Sequence, residues 1–208
     1  MFQELQEIAK QNKFVHILQI DLRYVDSYEN FSKKVADIVK DEGLNVLFNN
    51  AGVSPKFARL PLARAKEIMD TYETNTLGPI MLTKYLLGLL KISAAKNSSK
   101  PLGTSKAAVI NMSSILGSIQ MNDSGGLYAY RCSKAALNMA TKSMSIDLKK
   151  DSILVTAVHP GWVKTDMGGA KAPMNIEEST TAIVNLLDKL KEEHNGNFYQ
   201  YDGQKVDW

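Results

Sequence analysis

The sequence AAVINMSS at residues 107–114 decides the fold of this chain. Its mostly apolar part, Ala107–Met112, is typical of a buried strand, and the polar pair Ser113-Ser114 follows directly where that strand would end. The same arrangement occurs upstream, where the short run Val46–Phe48 leads into Asn49-Asn50-Ala51-Gly52. Both runs are continuous rather than alternating in polarity, which favours a parallel sheet covered by helices on both faces.

The rest of the chain alternates strand and helix in the same manner. We predict further strands at Phe14–Ile20, Ile153–Val158 and Phe198–Tyr201, and helices at Tyr28–Lys40, Ala63–Lys91, Leu127–Lys149 and Ile176–Glu193. The fold class is therefore α/β, a Rossmann-like doubly wound parallel sheet in a single domain over residues 1–208. Sheets of this kind place their chemistry outside the carboxyl ends of their strands.

Composition narrows the class of protein. The 208 residues are 44% hydrophobic and 23% charged, with a net charge of only +3, which favours one packed domain and argues against a nucleic-acid partner. The only cysteine is Cys132, as expected in a reducing compartment. Residues 1–13 are polar and helical in character, and the apolar stretch Leu77–Leu90 contains Lys84 and is too short to span a bilayer. We expect a cytoplasmic protein with no membrane segment.

The candidate chemistry lies in Tyr130-Arg-Cys-Ser-Lys134, early in a predicted helix. The i,i+4 spacing places the phenol and the ammonium on one helical face. A free phenol has a pKa near ~10, so proton transfer near neutral pH benefits from a cation that stabilises phenolate. Taken alone, the pair is equally consistent with an amphipathic helix that buries an aromatic ring.

The motifs around this pair form a recognisable order. They are Asn49-Asn50-Ala51-Gly52, Asn75, Asn111-Met-Ser-Ser114, Tyr130 with Lys134, and Pro160-Gly161-Trp-Val163-Lys-Thr165. In this order and spacing, the chain resembles the short-chain dehydrogenase/reductase family from about Glu4 to Trp208. The stretches YAYRCSKAALN, NMSSILGSI and HPGWVKTDMGG are most similar to the insect sniffer-type carbonyl reductases.

The resemblance implies an enzyme that transfers hydride from NADPH to a small aldehyde or ketone, with NAD(H) as the other dinucleotide. It assigns Tyr130 as the acid that protonates the carbonyl oxygen and Lys134 as the group that lowers the pKa of Tyr130. It assigns Ser114, or its neighbour Ser113, to the substrate oxygen, and Asn75 to a water that joins Lys134 to solvent. It implies no metal.

The resemblance also implies cofactor contacts. Asp21 and Leu22 would meet adenine, although a loop or helix-capping aspartate explains Asp21 as well. Backbone near Asn49 would approach the adenosine ribose, and Thr165 would bond a phosphate or the carboxamide. His159 is interpreted as a strand-end residue rather than a catalyst, and Cys132 as a packing residue. The implied cofactor-binding residues are Asp21, Leu22, Asn49, Ala51, Gly52, Tyr130, Lys134, Pro160, Gly161, Val163 and Thr165.

One family element has no counterpart among these residues. No GxGxxG or TGxxxGxG pattern occurs in the sequence, and the predicted strand Phe14–Ile20 resembles the third strand of the family. We therefore expect a sheet without the first strand, first helix and second strand, an incomplete domain. Neighbouring strands lie about 4.8 Å apart, so the absence of two intervening strands would leave Phe14–Ile20 roughly 14 Å from Val46–Phe48. Either it pairs directly with that strand or the sheet is destabilised.

Two functional hypotheses follow. The first is an NADPH-dependent carbonyl reductase that works through Ser114, Tyr130, Lys134 and Asn75, with association as a homodimer through the long helices. The second is a truncated, catalytically impaired chain that does not bind the dinucleotide normally and serves as a dimerising or partner-binding module.

Overall fold

The computed structural model describes residues 2–208 and contains one five-stranded sheet in the order β1-β2-β3-β4-β5. The strands are β1 (Val46–Asn49), β2 (Ala108–Met112), β3 (Leu154–His159), β4 (Phe198–Gln200) and β5 (Lys205–Val206). The first four run parallel, and β5 pairs antiparallel with β4. The predicted parallel sheet is confirmed, whereas β5 was not predicted because two residues are too few to form a periodic pattern.

Within residues 2–208, two α-helices precede β1 and four connect the parallel strands. They are α1 (Phe2–Gln11), α2 (Tyr28–Val39), α3 (Ala65–Tyr72), α4 (Gly78–Lys96), α5 (Tyr128–Asp147) and α6 (Ile176–Leu187). A π-helical turn at Glu73–Leu77 joins α3 to α4, so the predicted helix Ala63–Lys91 is a continuous helical region that runs on to Lys96. Asn175 caps α6, since its side chain accepts from the Glu178 amide while Glu178 accepts from the Asn175 amide.

The core lies on both faces of the sheet. On one face, Val109 and Val155 pack with Leu86 and Leu90 of α4. On the other face, the neighbouring strand residues pack against α6; they are Ala108, Ile110, Leu154 and Val158. Successive side chains of a strand point to opposite faces, so both sets must be apolar when helices cover both faces. This explains why the strands are continuous apolar runs.

The prediction of a strand at Phe14–Ile20 is wrong. Phe14 lies in a turn, residues 15–20 have no regular secondary structure, and β1 has β2 as its one strand neighbour within residues 2–208. A strand exists only where a second backbone accepts and donates the ladder hydrogen bonds, which composition alone does not supply. Phe14 is correspondingly 79% exposed. Direct pairing of this segment with β1, one of the expected outcomes, does not occur.

The last helix is shorter than predicted. It ends at Leu187 rather than Glu193, and a separate short 3-10 turn covers Glu192–His194. Here the chain packs against the loop before β2: Thr104 Oγ1 donates to the Leu187 carbonyl, and Gly103 lies against the Leu190 carbonyl. These tertiary contacts end the helix at a point where its apolar pattern still continues.

The helical region Ala65–Lys96 is, within the described part of the chain, long and apolar enough to cross a membrane by length and composition alone. It is longer than the apolar stretch Leu77–Leu90 considered from sequence. Its buried side chains Leu86, Leu90 and Ala94 belong to the core beneath the sheet. The core helix of a globular domain passes the same test, so this feature is weak evidence for a membrane span.

Candidate active site

The end of β2 presents two serines with different environments. Ser114 begins the short 3-10 turn Ile115–Gly117, and its Oγ accepts from the Leu116 amide at 3.2 Å. The Ser114 side chain also lies close enough to the Tyr130 phenol to lower the pKa of that phenol. Ser113 instead donates to Oδ1 of Asn138 at 2.5 Å. Of the two candidates named from sequence, Ser114 is therefore the one beside Tyr130.

Helix α5 supplies the other two groups. Leu127 adopts a left-handed conformation (φ 51°) immediately before the helix, which turns the chain sharply into its first turn. Lys134 follows Tyr130 at position i+4 of the helix, and its Nζ lies 5.8 Å from the centroid of the Tyr130 ring. Lys134 is 3% exposed, and its Nζ donates to the Met112 carbonyl at the end of β2 at 2.8 Å. The predicted stacking on one helical face is present.

Burial sets the protonation of both groups. Desolvation raises the pKa of Tyr130, and the Ser114 side chain lowers that pKa by less. Burial also lowers the pKa of Lys134 to about 8. Burial outweighs the opposing effect of Ser114, and the role of Lys134 in lowering the pKa of Tyr130 stays a prediction. Near neutral pH the phenol therefore holds its proton.

Asn75 lies fully buried inside the π-helical turn. Its Oδ1 accepts from the Val53 amide, and its Nδ2 donates to the Val53 carbonyl and to Ser133 Oγ. Single π-helical turns are rare and occur mostly at functional sites. The turn binds the segment that follows β1 to α5, which explains why an amide is tolerated in an apolar helix. Its role as a water anchor stays a prediction.

The residues that follow β1 approach Asn75 and Lys134. A Cβ built on Gly52 would lie 3.4 Å from both Asn75 Oδ1 and Lys134 Nζ, so this backbone reaches the predicted catalytic lysine. Asn49 is buried, and its Nδ2 donates to Asn111 Oδ1 at 2.8 Å. Ala51 is exposed. The structure thus brings Gly52 to the site and assigns the Asn49 side chain to the sheet.

Sequence reasoning missed a set of buried polar side chains. Asn111 donates to Thr141 Oγ1 at 2.8 Å, and Asn138 bridges Ser113 and the Gly117 carbonyl. All of these join the end of β2 to α5. The signal was available, because Asn138 and Thr141 are polar residues on the face of α5 that should pack on the sheet.

The segment after β3 carries the remaining predicted nicotinamide contacts. Gly161 has φ +85°, and a Cβ there would meet Met174 and Tyr201 at 3.0 Å, so this turn requires glycine. The Pro160 carbonyl accepts from Ser179 of α6, and Val163 bridges to Met174. Thr165 is exposed, with its Oγ1 accepting from the Gly168 amide. Their contacts to a cofactor stay predictions.

Asp21 and Leu22 lie in the loop before α2. Asp21 accepts from Nε and Nη2 of Arg23 at 3.0 and 2.6 Å, which lowers the pKa of Asp21 to about 2. Leu22 packs its Cβ against Gly78, the first residue of α4. The carboxylate is thus ion-paired within its own loop, and its contact with adenine stays a prediction.

Two further side chains were given no catalytic role from the sequence. His159 ends β3, as predicted, and is buried; its Nδ1 makes no hydrogen bond within the described residues, and burial lowers its pKa to about 4. Cys132 is exposed on α5, so its interpretation as a packing residue is wrong. Within residues 2–208, no three His, Cys, Asp or Glu side chains are grouped to hold a metal ion.

The geometry of Ser114, Tyr130, Lys134 and Asn75 agrees with the family indicated by their order in the chain. Residues 1–176 match the family model for short chain dehydrogenases. The chain belongs to this family. It is an oxidoreductase by membership, and its fold is the Rossmann-like fold of short-chain dehydrogenases. The resemblance noted from the motifs is confirmed.

Solved structures and a curated relative resemble this short-chain dehydrogenase closely. The carbonyl reductase Sniffer of D. melanogaster is 53% identical with a TM-score of 0.98, over 99% of this chain and 83% of that one. An NADPH-bound carbonyl reductase from chicken fatty liver is 36% identical with a TM-score of 0.92, over 99% and 82%. The C-signal protein of Myxococcus xanthus is 39% identical over 79% of this chain and 93% of that protein.

Proposed function

We propose that this short-chain dehydrogenase is an NADPH-dependent carbonyl reductase in which Tyr130 is the general acid. The observation that carries the proposal is the convergence of the Ser114 hydroxyl, the Tyr130 phenol and the Lys134 ammonium at the end of β2. The likeness to two carbonyl reductases, one of them NADPH-bound, supports the substrate class and the cofactor. The substrate is a small aldehyde or ketone.

The residues present fit the nicotinamide ribose. An ammonium has three N–H groups, and Lys134 gives one to the Met112 carbonyl, which leaves donors for ribose hydroxyls. Gly52 has no Cβ, so the space between Lys134 Nζ and Asn75 Oδ1 stays open to a ligand. The dinucleotide, when bound, supplies the hydride. Pro160, Gly161 and Val163 would hold its nicotinamide, and Asp21 and Leu22 would lie nearest its adenine.

The protonation state of Tyr130 identifies the source of the proton. Tyr130 holds its proton near neutral pH, because burial raises its pKa, and so it can donate that proton to the carbonyl oxygen of a substrate. Ser114 Oγ accepts from the Leu116 amide, which holds this oxygen in place and leaves its own O–H to donate to the same carbonyl oxygen. Lys134 then stabilises the phenolate left behind. The reaction therefore requires the neutral phenol as its starting state.

The test combines a binding measurement with a turnover measurement. NADPH fluorescence is followed as the 208-residue chain is added, and NADPH consumption is then measured with aldehydes and ketones. Tyr130→Phe keeps the ring and removes the proton; we expect it to bind NADPH normally and to lose about 10²–10⁴-fold in kcat. Tyr128→Phe, two residues earlier on an exposed position, is the matched control and keeps its activity.

Two results contradict the proposal. Near-normal turnover by Tyr130→Phe would remove the assigned acid. Failure of the wild-type chain to bind NADPH would favour the second hypothesis, a catalytically impaired chain that serves as a dimerising module.

A further inference from the structure

Asn138 occupies an unusual position on α5, one turn after Lys134. Its side chain is 4% exposed and uses both ends of its amide. Oδ1 accepts from Ser113 Oγ at 2.5 Å, and Nδ2 donates to the Gly117 carbonyl at 3.3 Å. A single side chain on the catalytic helix therefore holds two points of the segment that follows β2.

These two points enclose the residue that contacts Tyr130. Ser113 precedes Ser114, and Gly117 closes the 3-10 turn that Ser114 begins. The turn also lies directly on α5, since a Cβ on Gly117 would come 2.7 Å from Lys134 Cβ. Ser114 thus sits in a short loop whose two ends are fastened to the helix carrying Tyr130 and Lys134.

We propose that Asn138 is a positioning residue for the reaction, which sets the Ser114 hydroxyl against the Tyr130 phenol through Ser113 and Gly117. This inference rests on the proposed reductase function for its effect on turnover. Its effect on Tyr130 itself is independent of that function, because the Ser114 side chain is one of the two influences on the pKa of Tyr130.

An amide is needed at position 138 because its two partners require opposite hydrogen-bonding groups, one an acceptor and the other a donor. The Ser113 hydroxyl needs an acceptor and the Gly117 carbonyl needs a donor, and an amide offers both. Leucine has nearly the same shape and offers neither. A second link, from Asn111 to Thr141 Oγ1 one turn further along, holds α5 to β2 without touching the Ser114 loop. Loss of Asn138 therefore loosens the loop while the helix stays docked.

The experiment compares Asn138→Leu with Thr141→Val. Thr141→Val removes a buried hydrogen bond of the same helix to the same strand, so it reports the purely structural effect. For each chain, the near-ultraviolet absorbance of phenolate is titrated without cofactor, and the titration of the matching Tyr130→Phe double variant is subtracted. The difference isolates Tyr130 from the other tyrosines, of which the chain has eight in all.

We expect Asn138→Leu to raise the pKa of Tyr130 further, and to lower kcat by about 10- to 100-fold with little change in KM for NADPH. Thr141→Val is expected to lower Tm and to leave both the tyrosine titration and kcat within about twofold of wild type. Ser113→Ala should reproduce part of the Asn138→Leu effect on the Tyr130 titration and on kcat. Ser113→Thr keeps the hydroxyl, so it should return both quantities towards their wild-type values. The serine pair keeps the test usable if Asn138→Leu does not fold.

An unchanged Tyr130 titration in folded Asn138→Leu, or in Ser113→Ala where the first does not fold, would overturn the proposal. So would Thr141→Val shifting that titration as far as Asn138→Leu does. If the wild-type chain showed no reductase activity, the proposed function would fail, and the titration would still decide whether Asn138 positions Ser114.

Discussion

Gly117→Ala is the substitution whose consequence the structure defines most sharply. Gly117 is buried at the end of the turn that follows Ser114, where it packs directly on the catalytic helix. An added Cβ would lie 2.7 Å from Lys134 Cβ, 2.8 Å from the Lys134 carbonyl carbon and 3.1 Å from the Ala135 nitrogen. Two of these three atoms are backbone, so no side-chain rotation relieves the contact.

The size of the displacement follows from these distances. Ordinary contact begins at 3.4 Å, so the turn and α5 must separate by about 0.7 Å at this point. Overpacking of this kind destabilises a domain by about 1–3 kcal/mol. The larger effect is expected on catalysis, since Ser114 lies on the turn and Tyr130 with Lys134 on the helix. Misplacement of reacting groups by about 1 Å costs about 10²-fold in rate.

The assay measures Tm and the kcat of NADPH-dependent aldehyde reduction on the same preparations. Gly88→Ala is the control, because Gly88 is exposed in the middle of α4 and an added Cβ there meets no atom within 4 Å. We expect Gly88→Ala to keep full activity and to gain about 0.5–1 kcal/mol in the free energy of unfolding. Gly117→Ala should lose about 10- to 100-fold in kcat. Wild-type kcat and Tm in Gly117→Ala would refute the reasoning.

Two further predictions concern stability and association. His159 is buried and its pKa is lowered to about 4, so between the ordinary pKa of 6.5 and about 4 the unfolded chain binds a proton that the folded chain does not. The free energy of unfolding therefore falls as pH drops through this window, by at most about 3 kcal/mol from this group, and urea melts of His159→Gln should show a shallower fall; an equal pH dependence in both chains would argue against it. Met139 and Ile146 lie seven residues apart on α5, and they are 68% and 65% exposed. We expect this face to support a homodimer that Ile146→Lys dissociates, measured by sedimentation, with Val184→Lys on the exposed side of α6 as the control; a wild-type monomer at all concentrations would dispose of this prediction.

Strands and helices were predictable where the apolar pattern within one segment is sufficient to indicate the element. Ala108–Met112 forms a strand because an apolar run of that length between polar residues has few alternatives in a sheet covered on both faces. The composition of Phe14–Ile20 is just as favourable, yet no strand forms there, since strand formation depends on a neighbouring backbone rather than on the segment itself. The end of α6 was missed for a related reason, because its last turn is replaced by contacts with Gly103 and Thr104.

The candidate site likewise has some features that the sequence determines and others that only the tertiary structure determines. The sequence by itself determined the candidate groups, which are Tyr130, Lys134, Asn75 and a serine after the strand at residue 112. Their order in the chain is a linear property, and the i,i+4 spacing of Tyr130 and Lys134 places them together on any helix.

Only the tertiary structure decided which serine faces the phenol, which way the pKa of Tyr130 moves, and that Asn138 holds the loop of Ser114. These depend on burial and on contacts between residues that lie 16 to 25 positions apart in the chain. Desolvation and long-range pairing are properties of the packed chain, and no local pattern encodes them.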